Sequence, residues 1–216
     1  MLQSGIAAIV WRGRMTQLTR IADLLGIMAV CETSSGAMKF LAISGSLRAA
    51  SHNSALLRAM ARLAPAGASV TLYRGLGDLP LFNPDIEASD PAPVADLRSR
   101  IVAADALLIA SPEYAHGITG AMKNALDWMV GCEAFVLKPV ALLNASPRAV
   151  HAQASLREIV TMMSAQIVEA ASVTVPILGS HLSEDEIVLH PEISATLRGA
   201  LLSLHAAVLA ARSQPQ

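Results

Sequence analysis

The chain has 216 residues, of which 53% are hydrophobic and 15% charged, a balance that excludes a disordered chain and suits one domain with a substantial core. Its net charge is −1 and it has no basic run, which argues against a nucleic-acid partner but not against a local anion pocket. Cys31 and Cys132 have neither metal-type spacing nor a disulfide framework, so a reducing, cytoplasmic compartment is expected. The six histidines are scattered without a His-x-x-x-His pair. A metal site would have to be assembled from distant residues, and none is predicted.

Residues 1–37 differ from the rest. The apolar run at 6–11 is too short to span a bilayer, and no membrane partner is expected. Three readings compete: an upstream extension with Met38 as the true initiator, a helix carrying Leu18, Ile21, Leu24, Leu25 and Met28 at helical spacing, or a targeting segment. The first is favoured, because Thr33-Ser34-Ser35-Gly36 reads as a linker. The expected division is an extension over 1–37 and a folded domain over 38–211.

From Met38 the pattern alternates. Residues 38–43 are nearly all apolar, as in a strand covered on both faces. A helix is predicted over 53–63, stopped by Pro65 and Gly67, then a strand over 69–73. Residues 75–93 read as loop. A helix over 94–103, a strand over 106–110, a helix over 120–130, a strand over 140–144 and a helix over 149–164 follow. A fifth strand is placed at 171–175, and a closing helix over 191–211 has Pro191 in its first turn. Strands alternating with helices predict an α/β fold, a parallel sheet with helices on both faces and right-handed crossovers. Ligands of such sheets bind at the carboxyl ends of the strands, so the loops after the first, third and fourth strands should carry the polar residues.

They do. Ser44-Gly45-Ser46-Leu47-Arg48-Ala49-Ala50-Ser51-His52-Asn53 joins the first strand to its helix. Hydroxyls at Ser44, Ser46, Ser51 and Ser54, the Asn53 amide and the Arg48 guanidinium all suit phosphate oxygens, and the helix adds its positive end. The plain alternative is an ordinary connection with Ser51 or Asn53 as N-cap. The second loop, Ser111-Pro112-Glu113-Tyr114-Ala115-His116-Gly117-Ile118-Thr119-Gly120, offers flat faces at Tyr114 and His116 and close backbone approach at Gly117 and Gly120. It suits a planar ligand, or else a turn whose tyrosine caps the core. In the third, Asn144-Ala145-Ser146-Pro147-Arg148, Ser146 can reach a ligand's polar edge, and Arg148 is read as a surface arginine. Trp128 reads as core or subunit interface, and Lys123 and Asp127 as a helical i,i+4 pair.

These loops, with Leu79-Pro80-Leu81-Phe82-Asn83 and Lys123-Asn124-Ala125-Leu126-Asp127-Trp128, resemble the NADPH-dependent FMN reductase family of flavodoxin-like proteins. The likeness runs over about residues 39–209. It implies a flavodoxin-like fold with five parallel strands in the order 2-1-3-4-5 and a bound FMN. The FMN phosphate would be held by Ser46, Arg48, Ser51, Asn53 and Ser54. Its ring system would lie along Pro112, Glu113, Tyr114, His116 and Gly117. Many members have asparagine where this chain has Ala115, which puts the preferred acceptor in question more than the FMN. The resemblance implies hydride transfer from NADPH or NADH to the flavin, then two electrons to free flavin, a quinone, an azo compound or an oxyanion such as chromate. The flavin carries that chemistry, so no side-chain acid or base is expected. Gly45 is the only glycine in the first loop, so the dinucleotide fingerprint is missing and NAD(P)H is expected as a visiting substrate. A flavodoxin-type electron carrier and a non-flavin phosphate- or nucleotide-binding protein are the alternatives. A homodimer or homotetramer is also implied. Trp128, Met129 and Val130 in a row, and Leu81 and Phe82 beside prolines, read as the apolar surface that it would bury.

Overall fold

Phe40, Leu41, Ala42 and Ile43 are each at most 4% exposed. Successive side chains of a strand face opposite sides, so a run buried at every position needs cover on both. The computed structural model, which describes residues 37–180 and 182–213, supplies that cover. β1 (Met38–Ser44) is the second of five parallel strands in the order β2-β1-β3-β4-β5. The others are β2 (Ala68–Leu72), β3 (Ala106–Ala110), β4 (Pro139–Leu143) and β5 (Gln166–Ile167). β1 pairs with β2 from Met38 and Ala68 to Ala42 and Leu72, and with β3 from Phe40 and Ala106 to Ser44 and Ala110. The expected α/β order is therefore present. Most of residues 1–37 lie outside the described residues, so the expected extension is not described.

Eight-residue and longer helices cover the sheet: α1 (His52–Arg62), α3 (Ala92–Ala103), α4 (Gly120–Met129), α5 (Val150–Met162) and α7 (Pro191–Ser213), the last preceded by the short α6 (Glu184–Leu189). Phe40, Ala42, Leu108, Ala110, Ala141 and Leu143 face one core with Leu56, Leu57 and Met60 of α1 and Leu197, Leu201 and Leu204 of α7. The alternate residues Leu41, Ile43, Leu107, Ile109, Val140 and Leu142 face the other, with Leu97 and Ile101 of α3, Met122 and Leu126 of α4, and Leu156 and Val160 of α5. By length and composition α7 passes for a membrane-crossing helix, with a mean hydropathy of 1.5 over its most apolar stretch. Its stripe of Leu197, Ala200, Leu201, Leu204 and Val208 is spent instead on the first core. Lys138 lies at the opposite end of the sheet from the polar loops and donates to the carbonyls of Ile101 and Ala104, where α3 ends. Burial lowers its pKa, against the opposing pull of Asp105.

Three expectations need correction. The region 75–93 is not all loop: it holds a 3-10 turn, Gly75–Asp78, and the short α2 (Pro84–Glu87) begun by the Asn83 cap. The fifth strand starts earlier than residue 171. β5 pairs at Pro139 with Gln166 and at Val140 with Ile167, and then leaves the ladder through the 3-10 turn Glu169–Ala171. There the Ser172 hydroxyl takes the Leu142 N–H (3.0 Å) and donates to the Val168 carbonyl (3.0 Å), so a side chain stands in for the missing strand. Pairing resumes at Asn144 and Thr174, within the expected range. Third, Trp128 and Met129 are buried in their own chain at 2% and 1%, while Val130 is 67% exposed. Phe82 meets the Trp128 ring edge-on with centroids 5.1 Å apart. Trp128 Nε1 (2.7 Å) and Asn124 Nδ2 (2.9 Å) both donate to the Pro80 carbonyl, and Asn124 Oδ1 accepts from Phe82 N–H (2.7 Å). The tryptophan and phenylalanine thus fasten the 79–83 loop to α4 and do not form an open apolar tip. Lys123 and Asp127 pair as expected (2.5 Å).

Leu204 is fully buried. Leu204→Ala should lower the unfolding free energy by about 2–5 kcal/mol, read as a lower urea midpoint at unchanged slope. A shift within error would mean that α7 is not docked on the sheet.

Candidate functional site

The polar ends of β1, β3 and β4 meet on one rim of the sheet. The first loop leaves β1 at Gly45, whose N–H donates to the Ala110 carbonyl of β3 (2.8 Å). A Cβ at Gly45 would stand 2.6 Å from Ser111 Oγ and 3.1 Å from Met122 Cβ, so only glycine lets the two loops approach this closely. The Gly45 carbonyl accepts from Thr119 Oγ1 (2.5 Å), which in turn caps α4 by accepting from Met122 N–H (3.2 Å). The first and second loops are therefore one hydrogen-bonded unit.

Within the first loop, Ser51 is the N-cap of α1 and accepts from Ser54 N–H (3.3 Å). Ser44 and Ser54 share a buried hydroxyl pair (2.8 Å). Ser46 Oγ accepts from Arg48 N–H (3.4 Å). These bonds shape the turn and leave the positive end of α1 directed at the rim. Asn53 is 7% exposed, and its Oδ1 has no hydrogen-bond partner among the described residues. A buried acceptor left unpaired costs about 1–3 kcal/mol, a cost relieved by a ligand that brings a hydroxyl. Turned over, the same amide offers N–H to a phosphate oxygen.

The second loop turns sharply. Tyr114 and Gly117 exchange two backbone hydrogen bonds (3.0 and 3.1 Å), with Ala115 at φ 49° and His116 at φ 60° between them. Two consecutive left-handed residues make a primed two-residue turn, a conformation that asparagine or glycine adopts more readily than alanine. The turn holds Tyr114, 59% exposed, beside the rim. The Glu113 side chain reaches across to the first turn of α5, where its Oε2 accepts from Ala152 N–H (3.0 Å). In the third loop Asn144 Oδ1 accepts from Ser146 N–H (2.9 Å) and Ser146 Oγ from Arg148 N–H (3.3 Å).

The three loops enclose a cavity of about 380 Å³, within the range of small-molecule sites. Of the expected residues, Ser46, Arg48, Ser51, Asn53, Pro112, Glu113, Tyr114 and Ser146 line it. Ser54, His116 and Gly117 do not. Ser54 is turned to Ser44, while His116 and Gly117 sit on the turn beyond Tyr114. Arg148, read from sequence as a surface residue, is exposed and lines the cavity together with the exposed Arg48. His52, Asn144 and Leu178 line it too. Asn144 and Arg148 lay in a loop already singled out, but no pattern marked Leu178, which follows the broken fifth strand.

The profile of NADPH-dependent FMN reductases matches residues 38–178. The chain belongs to the NADPH-dependent FMN reductase family. It is 45% identical over 112 residues to the NAD(P)H-dependent FMN reductase of Pseudomonas aeruginosa, covering 50% of this chain and 60% of that protein. It is 31% identical over 195 residues to a probable NADPH:quinone oxidoreductase of Oryza sativa, covering 85% and 95%. In three dimensions it is similar to the flavoenzyme NAD(P)H:(acceptor) oxidoreductase of Paracoccus denitrificans, with a TM-score of 0.70 and 26% identity over 80% of this chain and 98% of that one. The family match spans all three loops, and membership makes the chain an oxidoreductase of a family that works with FMN and NAD(P)H. In this FMN reductase family member, the loop junction rests on one hydroxyl. Thr119→Val should cost about 1–3 kcal/mol, because it strands a buried carbonyl, while Thr119→Ser should recover most of the loss. Urea unfolding of both variants checks this. Equal losses in the two would show that the methyl group, not the hydrogen bond, matters.

Proposed function

We propose that this chain binds FMN in the cavity between the three loops and uses it to pass electrons from NAD(P)H to a small acceptor, a quinone first among them. The observation that carries this reading is the lining: Arg48 and Arg148, the capped end of α1 and the unpaired Asn53 amide, together with Pro112 and Tyr114. The cations and the helix end suit a phosphate. Asn53 and Ser146 suit ribityl hydroxyls and ring-edge atoms. The apolar face of Pro112 and the Tyr114 ring suit a planar head. When bound, FMN supplies two-electron transfer between NAD(P)H and the acceptor. The residues of the chain bind and orient it and keep water away. No side chain is assigned a proton-transfer role. Support for a quinone comes from the rice relative, named a probable NADPH:quinone oxidoreductase and matched over 95% of its length. Free flavin, azo compounds and chromate are the further acceptors to assay beside it, and a cytoplasmic location is part of the same reading.

We also propose a homo-oligomer. With Trp128 turned inward, Leu81, 83% exposed, and Val130, 67% exposed, are what stays exposed of the apolar surface expected from the sequence. Light scattering at micromolar concentration tests it, and a monomer with full flavin and full activity would overturn it.

The flavin reading is tested by the absorption spectrum of the purified protein. It should be yellow or take up FMN, bleach with NADPH in the absence of oxygen, and regain colour on addition of a quinone. A protein that retains no FMN at micromolar concentrations would overturn it. Arg48→Ala should weaken FMN by about tenfold to a hundredfold, the worth of a charge-assisted hydrogen bond, and leave riboflavin, which lacks the phosphate, nearly unchanged. Titration of both flavins into apo-protein reads the difference. Equal losses would remove Arg48 from the phosphate site.

A further inference from the structure

The sequence scattered its histidines, but the fold brings two of them together. His116 lies in the second loop and His151 in the first turn of α5. Their imidazole rings stack with centroids 4.4 Å apart and planes 16° from parallel. Glu113 joins them, and metal-ligating atoms of the three side chains all lie within 4.8 Å of one another. Each has a reason to be there. His116 is held by the Tyr114–Gly117 turn, and His151 by the helix. The Glu113 carboxylate is oriented through Oε2 by the Ala152 N–H, which leaves its second oxygen for a ligand. A donor that orients a ligating carboxylate from behind is the usual outer support of a metal centre.

We propose that Glu113, His116 and His151 form a binding site for a borderline divalent transition-metal ion, with Zn²⁺ the best match. Two imidazoles and one carboxylate suit zinc, with water as the fourth ligand. Mg²⁺ and Ca²⁺ prefer all-oxygen sites, and Cu⁺ prefers thiolates or thioethers, which this cluster lacks. Zinc–nitrogen bonds of about 2.0–2.1 Å put tetrahedral ligands roughly 3.3 Å apart. The cluster must therefore draw in by about 1.5 Å at its widest, and the two rings must turn out of their stack because an imidazole nitrogen binds metal in the plane of its ring; side-chain rotation at the two exposed imidazoles provides both movements. An ion there ties the second loop to α5. Glu113 also lines the cavity, so the ion stiffens one of its walls. The site stands on geometry alone and does not depend on the identity of the cavity's ligand.

The test uses untagged, full-length protein, stripped with a chelator and titrated with Co²⁺ as a spectroscopic stand-in. One equivalent should give the intense visible d–d bands of a tetrahedral site, read as a difference spectrum against the metal-free protein, and Zn²⁺ should bleach them. Zn²⁺ should also raise the melting temperature, since binding to the folded state alone stabilises it. His151→Ala should lose the bands and weaken Zn²⁺ by at least about tenfold, the cost of disturbing even an outer partner of a metal centre. Circular dichroism checks that the variant is folded, and His116→Ala serves as a second variant where it is not. The proposal fails if Co²⁺ keeps the weak spectrum of its hydrated ion, or if both folded variants bind Zn²⁺ as tightly as the parent.

Discussion

Thr119 donates its hydroxyl hydrogen to the carbonyl of Gly45, 74 residues earlier in the chain, and both ends of that bond are buried. The rest of the rim follows from it. β3 pairs along its whole length with Phe40–Ser44 of β1, but strand pairing ends where the loops begin. Past that point the backbone needs other partners, because a buried carbonyl without one is costly. Thr119 supplies the partner and, as the cap of α4, ties it to a helix packed in the second core. Gly45 must lack a side chain for the contact to form. One hydroxyl and one missing methyl group therefore set the spacing between the loop that carries the cations and the loop that carries the flat faces.

The remaining polar side chains divide into two groups. Ser44 and Ser54 bond each other inside the chain, while Ser51 Oγ and Asn144 Oδ1 each accept a backbone N–H, and these bonds fix the loops. Arg48 and Arg148 line the cavity, and the Asn53 oxygen has no hydrogen-bond partner among the described residues. This division means that the cavity is shaped before anything enters it, so little ordering entropy is spent on binding.

Much of this was legible in the sequence, for identifiable reasons. β1 and β3 are buried on both faces, and such strands announce themselves as apolar runs of the right length. The polar loops could be located because strand ends are where an α/β sheet leaves room. What escaped notice depended on partners that periodicity does not report. Trp128 was ambiguous because a helix pattern does not say what lies above it. Its partner is a backbone carbonyl at Pro80, 48 residues away. The fifth strand was misplaced because Ser172 replaces ladder bonds with its hydroxyl, which a propensity reading cannot anticipate. The histidine pair was invisible because residues 116 and 151 meet only once the loop and α5 are folded side by side.

That broken fifth strand has a consequence for how the molecule meets its own kind. β5 lies at one edge of the sheet and has only two residues in regular pairing before the chain turns away. A passing chain can add itself to a sheet only along a run of consecutive free backbone groups, the template from which edge-to-edge aggregation grows. Two residues followed by a 3-10 turn are too few to template anything. The chain gives up a longer ladder on this side and gains a blunt edge. A second copy seated there would have to be recognised mainly by the side chains of helices and loops, because β5 offers it only two residues of regular strand to extend.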